Sequence, residues 1–478
     1  MLPSLLISLI FATLTGGENP AIQVILNNKG LQYGKNVGAG WIQDNLKRVT
    51  LPDISGKISI GFLGSVGYTL TGVSVKQCDF PEPSVQFQED ISGFKSSISG
   101  LSVALTGGWR THYGLIHDGG SFDLAVFDVD VTSTAKLGED ADGHLSISSV
   151  NCSADVGDIK MRFRGGASAI IQFFVDNFRG YIVGEMERHI CPAVNQYIDA
   201  FEHHLQAMNV SFPVDPFLGI DLSLTNLPSV DASSLTLGLK GDFYQIKSHA
   251  GPPFKAGPFT LPKQPGFMMS VGFSEFTLNS ASYVYFSAGL FSRLVNDSVI
   301  PPSSPFHLNT SSFGPYIPQL PKLFPDLLMS LQVYAREMPV FSLQPGLIRL
   351  GLLGSIKAFA IQPNATLTPL FKLNVDSKFS GKTWISDGLL KGSVEMDNLT
   401  LTLVSSEVGP FQTVALENLL KSGIKLAVLY RLNAKLAHGF DIPRMKHAQL
   451  VNTVLKVEEG FVAISSDAKV WQPEGGFI

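Results

Sequence analysis

Residues 101–131 read LSVALTGGWRTHYGLIHDGGSFDLAVFDVDV. In the first run Leu101, Val103 and Leu105 share one face and Ser102, Ala104 and Thr106 the other, the period of a half-buried strand. The second run starts with Phe122, Leu124 and Val126 on one parity and continues with Phe127, Val129 and Val131 on the other. A slip of one residue exchanges the faces of a strand, so a β-bulge is expected near Val126 and Phe127. Between the runs, Trp109, Arg110, His112, Tyr113, His117 and Asp118 are framed by two glycine pairs. This stretch reads as a hairpin end that presents an aromatic group and a cation. His112, His117 and Asp118 lack the fixed spacing of a metal motif, and no metal is expected.

Strand-like alternation extends over most of the chain, and helical segments interrupt it. One follows residue 28, with Leu31, Trp41, Ile42 and Leu46 at helix-compatible spacing, and stops before Pro52. In the next, Ile170, Phe174, Phe178, Ile182, Met186 and Ile190 recur at every fourth position, an apolar stripe. That stripe suits either core packing or a lipid-lined groove. Pro192 is expected to kink or interrupt this helix. Residues 249–267, HAGPPFKAGPFTLPKQPGF, read as a proline-rich linker. On either side the halves echo each other. The segment 29–52 resembles 281–302, each a tyrosine leading a short helix that ends at proline, and 414–440 matches the late helix of the first half. Two copies of one sheet-plus-helices unit are expected, 18–248 and 268–478.

The N-terminus, MLPSLLISLIFATLTGG, reads as a secretory signal peptide over 1–17, with Thr15 and Gly17 at the small-residue positions of a cleavage site. Asn-x-Ser/Thr sequons at Asn151, Asn209, Asn296, Asn309, Asn364 and Asn398 agree with a secreted, extracellular glycoprotein. Three cysteines in an oxidising compartment allow one bridge and one leftover.

Charge and motifs exclude several functions. From Glu18 to Ala250 there are 16 lysines and arginines against 25 acids, net −9; the rest of the chain has 19 against 15, net +4. Nucleic acid calls for a broad basic face and is not expected as a partner. SGKTW (380–384) ends like a phosphate loop but has Asp376 where that motif needs its first glycine. No G-x-S-x-G or HExxH is present. The chain is not expected to be an enzyme.

Several stretches together resemble the bactericidal permeability-increasing protein and lipopolysaccharide-binding protein family, to which phospholipid and cholesteryl ester transfer proteins are related. They are NPAIQVILNNKGLQYG, LKRVTLPDISGK, GSFDLAV, VNCSADVG, HICPAV, LKGDFY, GFSEFTLNSASYVYFSAG and VGPFQTVALENLL. The resemblance implies an α+β boomerang of two similar elongated barrels. Each is a twisted antiparallel sheet wrapped on long helices, and a central sheet and the proline-rich linker join them. It implies a Cys152–Cys191 bridge and no partner for Cys78, which is expected as a buried, inert thiol, with an intermolecular bridge the alternative. It implies an apolar pocket for phospholipid in each barrel, lined here by Leu31, Ile42, Leu46, Ile170, Phe174, Phe178 and Ile182, and no other cofactor. Lipopolysaccharide would meet basic residues at the tip of the first barrel, for which Lys47, Arg48, Lys95, Trp109 and Arg110 are the matching residues. The implied role is a monomeric innate-immune protein acting at the bacterial outer membrane surface; the alternative is a phospholipid carrier. The tip departs from the lysine-rich family pattern, with Gly108, Thr111, His112 and Tyr113 around the Trp-Arg pair.

Overall fold

In a computed structural model, the structure describes residues 18–46, 50, 53–59, 64–113, 116–166, 168–300, 306–442 and 448–470. The segment 1–17, expected as a signal peptide, and the Lys47–Arg48 pair lie outside them. The chain opens with strand β1 (Ile22–Asn27) and helix α1 (Asn28–Leu46). Strands β2 (Ile54–Ser59), β3 (Ser65–Asp79), β4 (Ser84–Gln88), β5 (Gly93–Tyr113), β6 (Ile116–Glu139) and β7 (Leu145–Arg164) follow. They form an antiparallel sheet ordered β2-β3-β5-β6-β7, with β4 on β5.

The hairpin read at 101–131 is β5 and β6. Leu101 faces Val129 and Val103 faces Val126, so β6 carries one extra residue at Phe127–Asp128. Asp128 takes a left-handed φ of 53° there, a conformation Asp tolerates better than most side chains. The bulge does what the phase slip requires. Phe122, Leu124 and Val126 are buried on one side of it and Val129 on the other, so both parities reach the same core.

Helix α2 (Ser168–Gln206) lies along edge strand β7 and runs unbroken through Pro192. Proline removes one intrahelical bond, and other ties hold the helix to the sheet across that loss. Cys152 of β7 is bridged to Cys191 at a Cα separation of 5.7 Å. Glu202 accepts from the Ile147 N–H at 2.6 Å and Glu187 from the Val156 N–H at 3.1 Å. These carboxylates satisfy backbone donors that an edge strand would otherwise leave open. Cys78 stands outside the bridge, half-buried on β3 opposite Val103.

The second half repeats the plan. Ser292–Asn296, Met329–Ala335, Leu347–Ile361, Leu367–Ser386, Leu389–Ser406 and Phe440–Asp441 form an antiparallel sheet in that order, and Val340–Gln344 pairs with Leu347–Ile361. Its helix α3 (Glu275–Ser287) starts before the expected 281 and ends near Gly289, whose φ of 71° suits a helix stop. The following SRLVN is therefore a strand, not the end of a helix. The late helix runs Val414–Gly423, passes through a π-helical stretch Ile424–Leu429, and ends with Tyr430–His438.

A central sheet unites the halves, in the order Ser229–Asp231, Ser234–Leu239, β1, Met269–Ser274, Phe461–Val470, Ala448–Glu458. The 249–267 linker has no regular structure but is docked along β1. Asn19 donates to Ala256 O, Gln23 to Phe259 O, and Asn27 to Gln264 O and Phe267 O, at 2.7–3.0 Å. Lys29 of α1 reaches Asp467 of the last strand at 2.8 Å. Five sequon asparagines are exposed. Asn309 is half-buried and caps Thr310–Phe313 by accepting from the Ser312 N–H.

Burial alone would raise the Asp467 pKa, but the Lys29 ammonium, the Asn452 amide and the Met268 N–H hold the carboxyl below the usual range. A folded pKa below the unfolded one gives stability that is present above the unfolded value, about 3.9, and is lost as pH falls through the folded one. Asp467→Asn should therefore cost about 1–3 kcal/mol at neutral pH. In urea denaturation the difference from wild type should shrink once the pH drops below about 4.

Candidate functional site

Strand geometry decides what the hairpin end presents. Trp109 has the parity of Leu101, Val103 and Leu105, and its indole points inward, 2% exposed. Its Nε1–H donates to the Ser121 carbonyl at 3.1 Å, and its ring meets Phe163 edge-on at 5.8 Å between centroids. The framing glycines make room for this packing. A Cβ at Gly120, directly across from Trp109, would lie 2.9 Å from Nε1 and 1.9 Å from the Arg164 carbonyl oxygen; one at Gly107 would meet the Phe122 ring at 2.9 Å. Trp109 thus closes the distal end of an inner apolar layer and is not an exposed tip contact. That layer contains Val73, Phe122, Leu124, Val126, Val129, Val156 and Ile159, with Val183, Met186 and Ile190 of α2 packed on it.

The opposite parity faces solvent. Arg110, His112 and His117 are exposed. Register places Lys57, Gly67, His112 and His117 in one row across the sheet, and Ser55, Thr69, Arg110 and Gly119 in the next. Further rows bring in Arg164 beside Ser121 and Arg162 beside Asp123. Arg164 also pairs with Asp123 at 2.7 Å. The two arginines are absent from the expected site, although their signal is plain in KMRFR (160–164), where cations alternate with apolar residues.

Lys95 does not join this group. It is exposed on β5 opposite Thr134, fifteen residues from Arg110, which is about 50 Å along an extended strand. Among the expected pocket residues, Leu31 packs on a separate cluster with Phe87, Ala135, Leu137, Ile147 and Leu205. Ile42 is 41% exposed and faces away from that core, because α1 is polar along much of its length and buries only part of its surface. Leu46 is the last residue of α1, and Ile170, Phe174, Phe178 and Ile182 lie on α2; the side chains of these five lie outside the described residues.

In the second half an open groove of about 600 Å³ runs between the late helix and strand Leu389–Ser406. Val394, Met396, Leu429, Ala434 and Ala437 supply apolar wall, and Glu395, Lys425, Tyr430 and Asn433 supply polar atoms. Asp140, Asp142 and His144 bring their donor atoms close together, but these groups are used within the turn. Asp140 accepts from the N–H groups of residues 142 and 144 and contacts the His144 ring at 2.8 Å.

Two curled antiparallel sheets, each with a long helix beside it, share a central sheet. Sequence models of the LBP / BPI / CETP family match its N-terminal domain over residues 30–208 and its C-terminal domain over 213–470, and the chain belongs to that family. The family comprises non-enzymatic lipid-binding or transfer proteins. Over 465 residues the chain is 37% identical to the bactericidal permeability-increasing protein of Sebastes schlegelii, covering 97% of this chain and 98% of that one. It is 27% identical over 471 residues to human lipopolysaccharide-binding protein, covering 98% of each. The crystal structure of a lipopolysaccharide binding protein superposes with a TM-score of 0.57 at 24% identity, over 95% of this chain and all of that one. Among the described residues no helix is long and apolar enough to cross a membrane.

Because Trp109 fills the core, Trp109→Ala should cost about 3–5 kcal/mol in denaturant unfolding. Trp109→Phe should cost less, since it keeps the ring contact with Phe163 and loses the bond to Ser121.

Proposed function

We propose that this chain is a secreted innate-immune protein that binds the lipid A part of lipopolysaccharide from Gram-negative bacteria, acting as a monomer at the bacterial outer membrane surface. The observation that carries the reading is the set of cations on one distal face of the first sheet: Lys57, Arg110, Arg162 and Arg164, with Asp123 the carboxylate within the same rows. Guanidinium groups match phosphate oxygens as two-pronged donors. Acyl chains, at about 0.8 kcal/mol per buried methylene, would enter apolar space between helix and sheet. Lys47 and Arg48 remain candidates for the same role, and 18–248 and 268–478 are the two units. Secretion is supported by the apolar leader, the exposed sequons and the Cys152–Cys191 bridge.

A second reading has its own support. The open groove of about 600 Å³ lies in the other half of the chain, on the late helix, and would serve a phospholipid carrier that does not use the distal cations.

Immobilised lipopolysaccharide distinguishes the two. The triple variant Arg110→Gln/Arg162→Gln/Arg164→Gln should bind roughly tenfold or more weakly than wild type at low salt, with the difference narrowing as salt screens the exposed charges. Undiminished binding would remove the distal face from the mechanism. Phospholipid identified by mass spectrometry in an organic extract of the purified protein, together with vesicle-to-vesicle transfer that ignores the triple substitution, would favour the carrier.

A further inference from the structure

One row near the distal end of the first sheet contains two histidines side by side. His112 of β5 and His117 of β6 are direct cross-strand partners, with rings 6.5 Å apart between centroids and 29° from parallel. Both are exposed. Their row also contains Lys57 on β2 and Gly67 on β3. Gly67 gives the His112 ring a seat, since a Cβ there would lie 2.1 Å from Cε1. One row away, about 7 Å along the strands, Arg110 lays its stem over Gly119, where a Cβ would be 3.6 Å from Cγ.

We infer that the His112–His117 pair is an acid-strengthened part of a phosphate-binding face, so that anionic lipid headgroups are held more tightly as the pH falls. The inference rests on the reading above that this face meets phosphate. At neutral pH the permanent charges here are Lys57 and Arg110, with Arg162 and Arg164 further along β7. Imidazole gains its charge in mildly acidic solution. Two imidazolium rings side by side beside Arg110 repel one another unless an anion lies among them, so protonation and anion binding favour each other. Among the described residues, the elements around the pair bring these groups to it. β2 brings Lys57, with Asp53 just before that strand; β3 brings Gly67 and Thr69; β5 brings Arg110; β6 brings Asp123, which is engaged by Arg164. Asp118 is paired in register with Thr111, so it belongs to the other parity of β6, and accepts from the Gly119 N–H at 2.8 Å. No carboxylate within the histidine row neutralises the rings among the described residues.

The chemistry recognised is a phosphate ester, which a bilayer lipid, lipid A or free phosphate could supply. The test measures binding of the full chain to three probes at about pH 7.5 and about pH 5.5 and constant ionic strength. They are phosphatidylglycerol vesicles diluted in phosphatidylcholine, the same vesicles doped with lipid A, and inorganic phosphate as competitor. Phosphatidylglycerol is a diester whose charge does not change over this range, so the protein alone sets its pH response. Wild type should bind these vesicles roughly tenfold more tightly at the lower pH. In His112→Gln/His117→Gln the two affinities should agree within about twofold. His117→Gln alone, which leaves the Gly67 seat occupied, should lose part of the response and serves if the double variant folds poorly. Competition by inorganic phosphate at the lower pH supports recognition of the phosphate itself. A wild type whose affinity does not change with pH, or a double variant that keeps the full increase, overturns the inference while the lipid A reading stands. Failure of wild type to bind lipid A at either pH overturns that reading as well.

Discussion

Strand β1 gives both of its edges to hydrogen bonding, and the joining of the two halves depends on this. One edge takes Ser234–Leu239 and the other Met269–Ser274, in continuous antiparallel register from Ile22 to Asn27 and from Ile22 to Leu26 respectively. A six-residue strand buried between two neighbours must satisfy every backbone donor and acceptor within the sheet. Here both partners come from more than two hundred residues away in the chain. The last strand, Phe461–Val470, then adds to Met269–Ser274, so the N-terminal residues and the C-terminal strand belong to one sheet. Lys29 and Asp467 fasten that arrangement from the side, and Asn19, Gln23 and Asn27, every fourth residue of the β1 segment, hold the proline-rich linker down. The linker therefore acts as a strap on the central sheet. Its prolines suit that position, because this segment accepts bonds from β1 side chains mainly through its carbonyls and few of its own N–H groups need partners.

Much of this was legible in local pattern. The phase slip at Val126–Phe127 led to the bulge at Phe127–Asp128 because a period of two leaves no other way for both parities to reach one core. The same rule, carried from Leu101 to residue 109, sets Trp109 inward and Arg110 outward. Glycine pairs and nearby polar groups argued for a tip instead. The glycines are there because an indole needs a cross-strand neighbour without a side chain. KMRFR follows the same alternation, which puts Arg162 and Arg164 beside Arg110 rather than scattered along the chain.

What could not be read lies in long-range contacts. Proline predicts a broken helix from local terms alone. The disulfide, Glu187 and Glu202 that hold α2 along β7 come from another element, and together they outweigh the one lost intrahelical bond. Lys95 and Arg110 share a strand and a charge, yet a long strand separates them by most of its length, so proximity in sequence misleads in an elongated sheet. The start of α3 was misplaced for a related reason. GFSEF looks like continuing strand until Glu275 is seen accepting from the Leu343 N–H at 3.0 Å, a contact that fixes the first turn of the helix against a strand far along the chain.

The first half is acidic overall, net −9 from Glu18 to Ala250, and at first sight that argues against an anionic ligand. The length scale of screening settles the question. At physiological ionic strength, charges more than about 8 Å apart are largely hidden from one another by salt. A headgroup on the distal face would therefore respond mainly to Lys57, Arg110, His112, His117 and Arg164, the last offset by its partner Asp123, and only weakly to acids on α2 or at the far end of β6. Net charge still governs the approach from a distance, where a negative domain slows encounter with a negative surface. The design separates these two effects. On the proposed reading the cations of this face hold phosphate once contact is made, while the acidic domain as a whole would not be drawn indiscriminately to every anionic surface. Selectivity would then rest on contact geometry, on arginine forks at fixed register and apolar space for tails, with the two histidines in the role proposed for them above.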